Sequence, residues 1–171
     1  YTCAYYPTPD ATLDEAQENK FRLVFEKMNL KPGDKHLDVG CGWGSMVRYA
    51  ARQGVKSLGV TLSKEQAEWA QAKIKEEGLE DLAEVRFLDY RDVTETGFDG
   101  ISSIGLLEHI GVKNFASYFE FLAGKLRPGG VMVNHCITYP DNHKTPQGDF
   151  INRYIFPDGE LTGSGTIIHE M

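Results

Sequence analysis

A glycine-rich stretch is the part of this sequence whose residue types point most directly to chemistry. Residues 38–44 read Asp-Val-Gly-Cys-Gly-Trp-Gly, so three glycines occupy five positions. Glycines let the chain turn sharply and let a ligand approach the main chain closely. A plain turn does not need three of them, because each glycine loses more conformational entropy on folding than any other residue. The stretch therefore predicts a ligand-binding loop, against the alternative of a tight turn that binds nothing.

Two nucleotide-type ligands are compatible with such a loop. A dinucleotide fingerprint requires G-x-G-x-x-G/A and an acidic residue about 20 positions further on. Here Ser45 occupies the third fingerprint position, and the next predicted strand ends in Thr61-Leu62 without an acid. The form Asp38-x-Gly-x-Gly instead resembles motif I of class I methyltransferases, in which the acid helps to hold the amino-acid end of S-adenosylmethionine (SAM). We therefore expect SAM rather than NAD.

The elements that must position this loop alternate between strand and helix. The pairs Thr12/Glu15 and Ser63/Gln66 read as capping boxes that open two helices. Further helices are predicted over 46–53 and 115–125, and strands over 36–39, 57–61, 85–88, 98–104 and 131–137. Such alternation implies right-handed crossovers. We predict an α/β fold over residues 1–171, a doubly wound, mostly parallel sheet with helices on both faces, as in a Rossmann-like class I methyltransferase core.

The remainder of the sequence narrows the class of protein. The segment 139–166 is rich in Pro, Gly, Asp and Asn and predicts loop, with one short helix near 151–155. The chain has 18 basic and 25 acidic residues, a net charge of -7 that argues against nucleic-acid binding. Three widely spaced cysteines indicate neither a disulfide framework nor a metal site. This cysteine pattern favours a reduced, intracellular setting, so we expect a cytoplasmic protein. The sequence contains no apolar run long enough to predict a transmembrane segment.

Several segments together resemble the cyclopropane-fatty-acid synthases, the family that includes the mycolic acid cyclopropane synthases. The glycine loop alone indicates only a methyltransferase, whereas other segments are more specific. They are Tyr1-Thr2-Cys3-Ala4-Tyr5, residues 59–63 with Gln66, residues 89–92, residues 103–111 with their Glu-His-Ile-Gly, and residues 151–157, which read Ile-Asn-Arg-Tyr-Ile-Phe-Pro. Family members carry a tyrosine, a further cysteine and a last antiparallel sheet edge downstream of these segments. The sequence starts at Tyr1 and stops before them, so we expect a fragment that is not active alone.

The resemblance implies an activity and its partners. Family members transfer a methylene group from SAM to a cis double bond of an unsaturated phospholipid acyl chain, which gives a cyclopropane fatty acid. Transient contact with the membrane surface, at its inner face, is then expected. Two alternatives stay open: a related lipid methyltransferase that makes a methyl- or methylene-branched chain, and a noncatalytic SAM-binding paralogue. DNA amino-methylation is not expected, because residues 104–108 lack the Asn- or Asp-Pro-Pro-aromatic motif of such enzymes.

The resemblance also assigns residues to roles. A bound bicarbonate is the expected base, held by main-chain N–H groups of Cys3 and Ile104 and by the side chains of Glu108 and His135. A carboxylate can accept the bicarbonate hydroxyl hydrogen, and a histidine can donate or accept. The expected SAM contacts are Tyr1, Thr2, Asp38, Gly40, Cys41, Gly42, Trp43, Gly44, Thr61, Leu62, Gln66, Tyr90 and Arg91. The ordinary alternatives are a solvated loop acid for Glu108, a core histidine for His135 and a ring packed on the sheet edge for Tyr90.

Overall fold

One parallel sheet organises the molecule. The structure is a computed structural model that describes residues 3–141, 150, 153–154 and 159–171. The strands are β1 (Lys35–Val39), β2 (Lys56–Thr61), β3 (Ala83–Phe87), β4 (Phe98–Ile104) and β5 (Leu126–His135). The helices are α1 (Leu13–Met28), α2 (Ser45–Arg52), α3 (Lys64–Glu76), α4 (Phe115–Ala123) and α5 (Ser164–Glu170). The strand order is β3-β2-β1-β4-β5, with every pairing parallel, which confirms the predicted fold class.

Helices cover both faces of the sheet because successive side chains of each strand point to opposite faces. Leu37 and Val39 of β1 pack in one buried cluster with α4 and with Ile167 of α5. The other face is covered by α1, α2 and α3, which contribute two further buried clusters. His36 and Asp38 alternate with Leu37 and Val39, so they belong to this second face. Both are buried beneath the helices.

The sheet reverses its direction of growth at β1. This strand pairs with β2 on one side and with β4 on the other, so the crossovers leave it in opposite directions. In open α/β sheets a crevice forms outside the carboxyl ends of the strands at such a switch point. The glycine loop follows β1 directly, and Ile104 ends β4 beside it. The fold therefore brings the predicted ligand loop to the position where such sheets bind ligands.

Two parts of the sequence-based assignment were wrong. The strand β5 begins at Leu126 and includes Pro128-Gly129-Gly130, whereas the sequence pattern predicts a strand only over 131–137. It lies at the sheet edge among the described residues, where a proline costs little, and its pairing shifts register between Phe98 and Gly100. The helix α5 begins inside the segment 139–166 that is predicted as loop and extends to Glu170, and its Ile167 packs on the core of the molecule.

The capping boxes differ in how completely they form. At Thr12 both reciprocal hydrogen bonds with Glu15 are present. Ser63 accepts the N–H of Gln66 at 3.3 Å, but the Gln66 side chain bonds to Thr61 instead of returning to Ser63. The predicted short helix near 151–155 lies mostly outside the described residues. In the described part of the chain, no helix is both long and apolar enough to cross a membrane.

Candidate active site

Two adjoining cavities form one crevice at the carboxyl ends of β1, β2 and β4. Their volumes are about 520 Å³ and 670 Å³. The residues that line both are Gly40, Gly42, Gln66 and Ile104. The smaller cavity extends towards α1, and the larger one extends towards the end of β3. The crevice is therefore elongated, with the glycine loop along its middle.

Two glycines of the loop have different functions in the structure. Gly42 has φ 54°, and a Cβ at this position would meet no heavy atom within 4 Å. Gly44 has φ 70°, and a Cβ there would lie 2.9 Å from the Cβ of Ala70 on α3. Gly42 lines both cavities, whereas Gly44 lines neither. The first glycine leaves the main chain open to the crevice, and the second lets α2 approach α3.

Asp38 ends a chain of buried polar side chains. The Ser102 hydroxyl donates to Asp38 Oδ1 at 2.5 Å. Ser102 Oγ lies 2.9 Å from His36 Nε2, and His36 Nδ1 lies 2.8 Å from Ser57 Oγ. An ionised Asp38 can only accept, so Ser102 spends its hydrogen there. It follows that His36 Nε2–H donates to Ser102 and that Nδ1 accepts from Ser57.

Burial sets the protonation of this chain. It raises the pKa of Asp38 to about 7, and the Ser102 hydrogen bond and the charge of Lys20 oppose the shift. Burial also lowers the pKa of His36 to about 3, which keeps the ring neutral at physiological pH. A carboxyl group with a pKa near neutrality, in a crevice, is typical of a functional site.

The remaining loop residues form the wall of the smaller cavity. The Trp43 ring is 44% exposed and meets Trp69 edge-on, with 5.4 Å between ring centroids. Cys41 also lines this cavity, and burial raises the pKa of its thiol. A Cβ at Gly59 would lie 2.9 Å from the Cβ of Cys41, so the glycine on β2 admits the loop. The expected contacts Trp43 and Cys41 thus border the crevice.

The larger cavity gathers the other expected SAM contacts. Thr61 donates to Gln66 Oε1 at 2.9 Å, and Leu62 beside them is 71% exposed. Tyr90 is half-buried and meets Tyr118 edge-on, with 5.4 Å between ring centroids. All of these line the cavity except Tyr118. Tyr90 therefore packs against α4 and also borders the crevice.

Arg91 lies at the mouth of the same cavity. Its guanidinium donates to both carboxylate oxygens of Asp89, at 2.9 and 2.6 Å, and holds the pKa of Asp89 below its usual value. The expected contacts Tyr1 and Thr2 lie outside the described residues, as does most of the 151–157 segment.

The four residues expected to hold bicarbonate come from three distant parts of the chain. Ile104 ends β4 and pairs in register with His135 of β5. Cys3 is exposed, and its Sγ lies 3.9 Å from His135 Nε2. Glu108 is 9% exposed, and its Oε1 accepts the N–H of Ile137 at 2.7 Å. The fold thus brings Glu108 to the end of β5, two residues beyond His135.

Two side-chain atoms in this group lack a hydrogen-bond partner. Within the described residues, Glu108 Oε2 and His135 Nδ1 are buried and unpaired. Such atoms are costly, and each is a position where a bound molecule or ion could complete the hydrogen bonds. Ile104 lines both cavities, but Glu108, His135 and Cys3 are absent from the linings of the described crevice.

Comparison with known proteins decides the family. The sequence model of the family described as mycolic acid cyclopropane synthetase matches residues 1–171. The chain belongs to the mycolic acid cyclopropane synthetase family. This match confirms the resemblance that we inferred from the sequence segments. It also agrees with the class I methyltransferase fold.

Two relatives of this chain carry the names of fatty-acid-modifying enzymes. It is 64% identical, over its whole length, to a probable fatty acid methyltransferase, Rv3720, of Mycobacterium tuberculosis. It is 41% identical, over 94% of its length, to the cyclopropane-fatty-acyl-phospholipid synthase of Escherichia coli K12. It spans only 40% and 41% of these two relatives.

A solved structure gives the same result for the fold. The M. tuberculosis mycolic acid cyclopropane synthase CmaA1, complexed with S-adenosylhomocysteine and CTAB, superposes with a TM-score of 0.88 at 34% identity. The match covers 99% of this chain and 64% of CmaA1.

The sequence analysis did not identify two residues that contribute to this site. Lys20 lies on the buried row of α1 with Ala16, Val24 and Met28, at spacings of four residues, and it lines the smaller cavity. A lysine on an otherwise apolar helical row was the available signal.

Glu160 is the second missed residue. Its N–H donates to the Glu108 carbonyl at 2.7 Å, and its Oε2 accepts the N–H of Val112 at 2.9 Å. These bonds hold the main chain at Glu108 and at Val112, four residues further on. No local pattern indicates a contact between residues so far apart in the sequence.

Proposed function

We propose that this chain forms the SAM-binding core of a lipid methyltransferase that converts a cis double bond of an unsaturated phospholipid acyl chain into a cyclopropane. The observation that carries the proposal is the elongated crevice at the switch point of the sheet. A buried acid borders one end of it and an aromatic ring the other, with an open glycine main chain between them. The lipid-acting relatives support the class of substrate.

The residues along the crevice fit SAM in that order. Asp38 borders the smaller cavity and suits the positively charged ammonium of the amino-acid end. Gly40 and Gly42 leave the main chain accessible along the middle. Tyr90 borders the larger cavity, where its ring provides an apolar surface for the adenine. Thr61, Leu62 and Gln66 lie between these ends.

When SAM is bound, it supplies a sulfonium methyl that the alkene attacks, so that the S–C bond breaks and the lipid cation then loses a proton from the new methyl as the ring closes. An alkene is a weak nucleophile, so alignment with the methyl and exclusion of water must supply much of the rate. Ile104, at the end of β4, lines both cavities.

The unpaired atoms near the end of β5 support bicarbonate as the base. Glu108 Oε2 can accept its hydroxyl hydrogen, and His135 Nδ1 can share a hydrogen with one of its oxygens. Main-chain N–H groups of Cys3 and Ile104 would offset part of its negative charge. Bound there, bicarbonate would supply a proton acceptor, and the chain's residues would only orient it.

A related activity is the second candidate. Two relatives, at 64% and 47% identity, are named probable fatty acid methyltransferases. The same lipid cation gives a methylene branch if a hydrogen shifts along the chain before the proton is lost. A noncatalytic paralogue is less well supported. Glu108 and His135 retain buried polar atoms without hydrogen-bond partners, and burying such atoms costs free energy.

The substrate also implies a place of action. Phospholipid acyl chains lie inside the bilayer, so the enzyme must contact a membrane surface transiently, which we expect at the inner face of the cytoplasmic membrane. The net charge of -7 on this chain argues against non-specific attraction to anionic lipid, so we expect that added salt does not weaken this contact. Co-sedimentation of the whole protein with unsaturated phospholipid vesicles measures it.

Product analysis tests the proposal. The whole protein is incubated with SAM and an unsaturated phospholipid, and the acyl chains are examined by mass spectrometry and proton NMR. We expect a product one CH2 group heavier, with the upfield ring protons of a cyclopropane. Exocyclic alkene protons would establish the second candidate instead. Methylation of a soluble amine or phenol, without any lipid product, would contradict both.

A further inference from the structure

A buried lysine borders the smaller cavity and has no role in the function proposed above. Lys20 is only 7% exposed and occupies a row of α1 that is otherwise apolar. Burying an ammonium group is costly unless charged or polar groups compensate it. The groups around Lys20 must therefore compensate its charge.

The surroundings of Lys20 orient its ammonium group. Nζ donates to Gln17 Oε1 at 2.5 Å and lies 4.8 Å from the centroid of the Phe21 ring. Both of these neighbours line the smaller cavity together with Lys20. The cation is therefore held at the cavity wall by groups on its own helix.

An anion of opposite charge borders the same cavity. Burial lowers the pKa of Lys20, and the negative charge of Asp38 opposes the shift. The charge of Lys20 in turn opposes the rise in the pKa of Asp38. A cation on α1 and an anion on β1 thus face one cavity of about 520 Å³. This pairing is complementary to a ligand that carries both charges.

We propose that Lys20 and Asp38 together recognise the zwitterionic end of SAM, with Lys20 binding the carboxylate and Asp38 binding the ammonium. This inference rests on the proposed function and deepens it, because it makes Lys20 a binding residue that selects ligands with an α-carboxylate. The adenosine part of the ligand would lie along the loop and the larger cavity, remote from Lys20.

A pair of ligands isolates this contact. Decarboxylated SAM retains the sulfonium, the ammonium and the adenosine, and it lacks only the carboxylate. Calorimetry on the whole protein should give a Kd for SAM at least tenfold below that for decarboxylated SAM, which corresponds to about 1.4 kcal/mol. In K20M this preference should fall below threefold, because only SAM loses a partner. K20R should restore most of it.

Two further variants serve as controls. Lys27→Met removes an exposed lysine from the same helix and should leave both affinities unchanged. Asp38→Asn should weaken both ligands to a similar extent, because both carry the ammonium.

The outcomes separate the two proposals. Equal affinity of the unaltered protein for SAM and decarboxylated SAM would overturn the role of Lys20 even if K20M did not fold. An equal loss of both ligands in a folded K20M would also overturn it, since that is the behaviour of a structural residue. If neither SAM nor decarboxylated SAM bound to the unaltered protein, the proposed function itself would be refuted.

Discussion

Asp38 shows how single residues set the chemistry of this crevice. Its carboxyl group is 3% exposed, yet Ser102 and His36 fix the direction of the hydrogen bonds that it receives. The chain commits Oδ1 to the protein and favours the ionised form, while burial favours the protonated form. A bound ammonium would shift this balance towards the ionised form.

The affinity for SAM should therefore depend on pH. With a pKa of about 7, the ionised fraction of Asp38 is about a tenth at pH 6 and about three quarters at pH 7.5. Ionised Asp38 binds the ammonium, so SAM affinity should rise roughly fivefold to tenfold over this interval. The affinity for 5′-methylthioadenosine, which lacks the amino-acid group, should stay flat. Calorimetric titrations at the two pH values compare them.

Other groups near Asp38 do not explain such a change. Burial lowers the pKa of His36 to about 3 and raises the pKa values of Cys41 and Tyr118. These three groups therefore stay uncharged between pH 6 and 7.5. Lys20 faces Asp38 from α1, and repeating the titrations in K20M removes its contribution. A rise with pH that 5′-methylthioadenosine shares would rule out the ammonium–Asp38 contact.

Glu108→Gln separates catalysis from binding at the residue scale. Glutamine retains an oxygen that can accept the Ile137 N–H, so the loop should keep its fold. The glutamine places an NH2 group where Glu108 has its unpaired Oε2, and an NH2 group cannot accept the bicarbonate hydrogen. SAM affinity should remain within twofold, and turnover of lipid should fall at least tenfold, about 1.4 kcal/mol of barrier. Glu120→Gln, on the exposed side of α4, is the matched control. Unchanged turnover in E108Q would remove Glu108 from the mechanism.

At the scale of elements, one glycine of the loop serves ligand binding and another serves helix packing. Gly42→Ala places a methyl in open space at the crevice and incurs about 1–2 kcal/mol for its left-handed backbone. Gly44→Ala has the same backbone cost and also forces a methyl against Ala70 and Val85, which adds about 1–3 kcal/mol. We expect G44A to be the less stable variant and G42A to show the greater direct loss of SAM affinity while still folded.

Urea unfolding and SAM titration of the two glycine variants measure these effects separately. Equal destabilisation of both would contradict the assignment of Gly44 to the contact between α2 and α3. Unaltered SAM affinity in G42A would contradict the assignment of Gly42 to the crevice.

The sequence predicts elements better than contacts between them. Periodicity and capping residues located four of the five strands to within two residues, because those signals are local. The extension of β5 through Pro128-Gly129-Gly130 depends on its edge position, and α5 depends on burial of Ile167 against distant residues. Neither property is present in a local window.

The same limit applies to the site. The glycine loop and Asp38 could be found, since strand, turn and helix are contiguous there. The hydrogen bond between Glu108 and the Ile137 N–H joins residues 29 positions apart, and the bonds of Glu160 span a longer separation. Lys20 gave a local signal, because it is a cation on an apolar helical row. Its position at the cavity beside Asp38 could not be predicted, because it depends on which strand α1 covers.

At the scale of the whole molecule, the parallel sheet brings all of these parts to one end. Every strand runs in the same direction, so the residues that follow β1, β2, β3 and β4 meet at the crevice. Glu108 and His135 lie at the same end, at the carboxyl termini of β4 and β5. The chain spans 40% and 41% of the two relatives described above, so the proposed lipid turnover is to be tested on the whole protein.

Ligand selection by the whole protein tests the account most directly. SAM and NAD are titrated separately into the same preparation and the heats are compared. The account predicts saturable binding of SAM and no uptake of NAD, because the end of β2 has no acid for a nicotinamide nucleotide's ribose. Saturable binding of NAD with no heat from SAM or S-adenosylhomocysteine would contradict it.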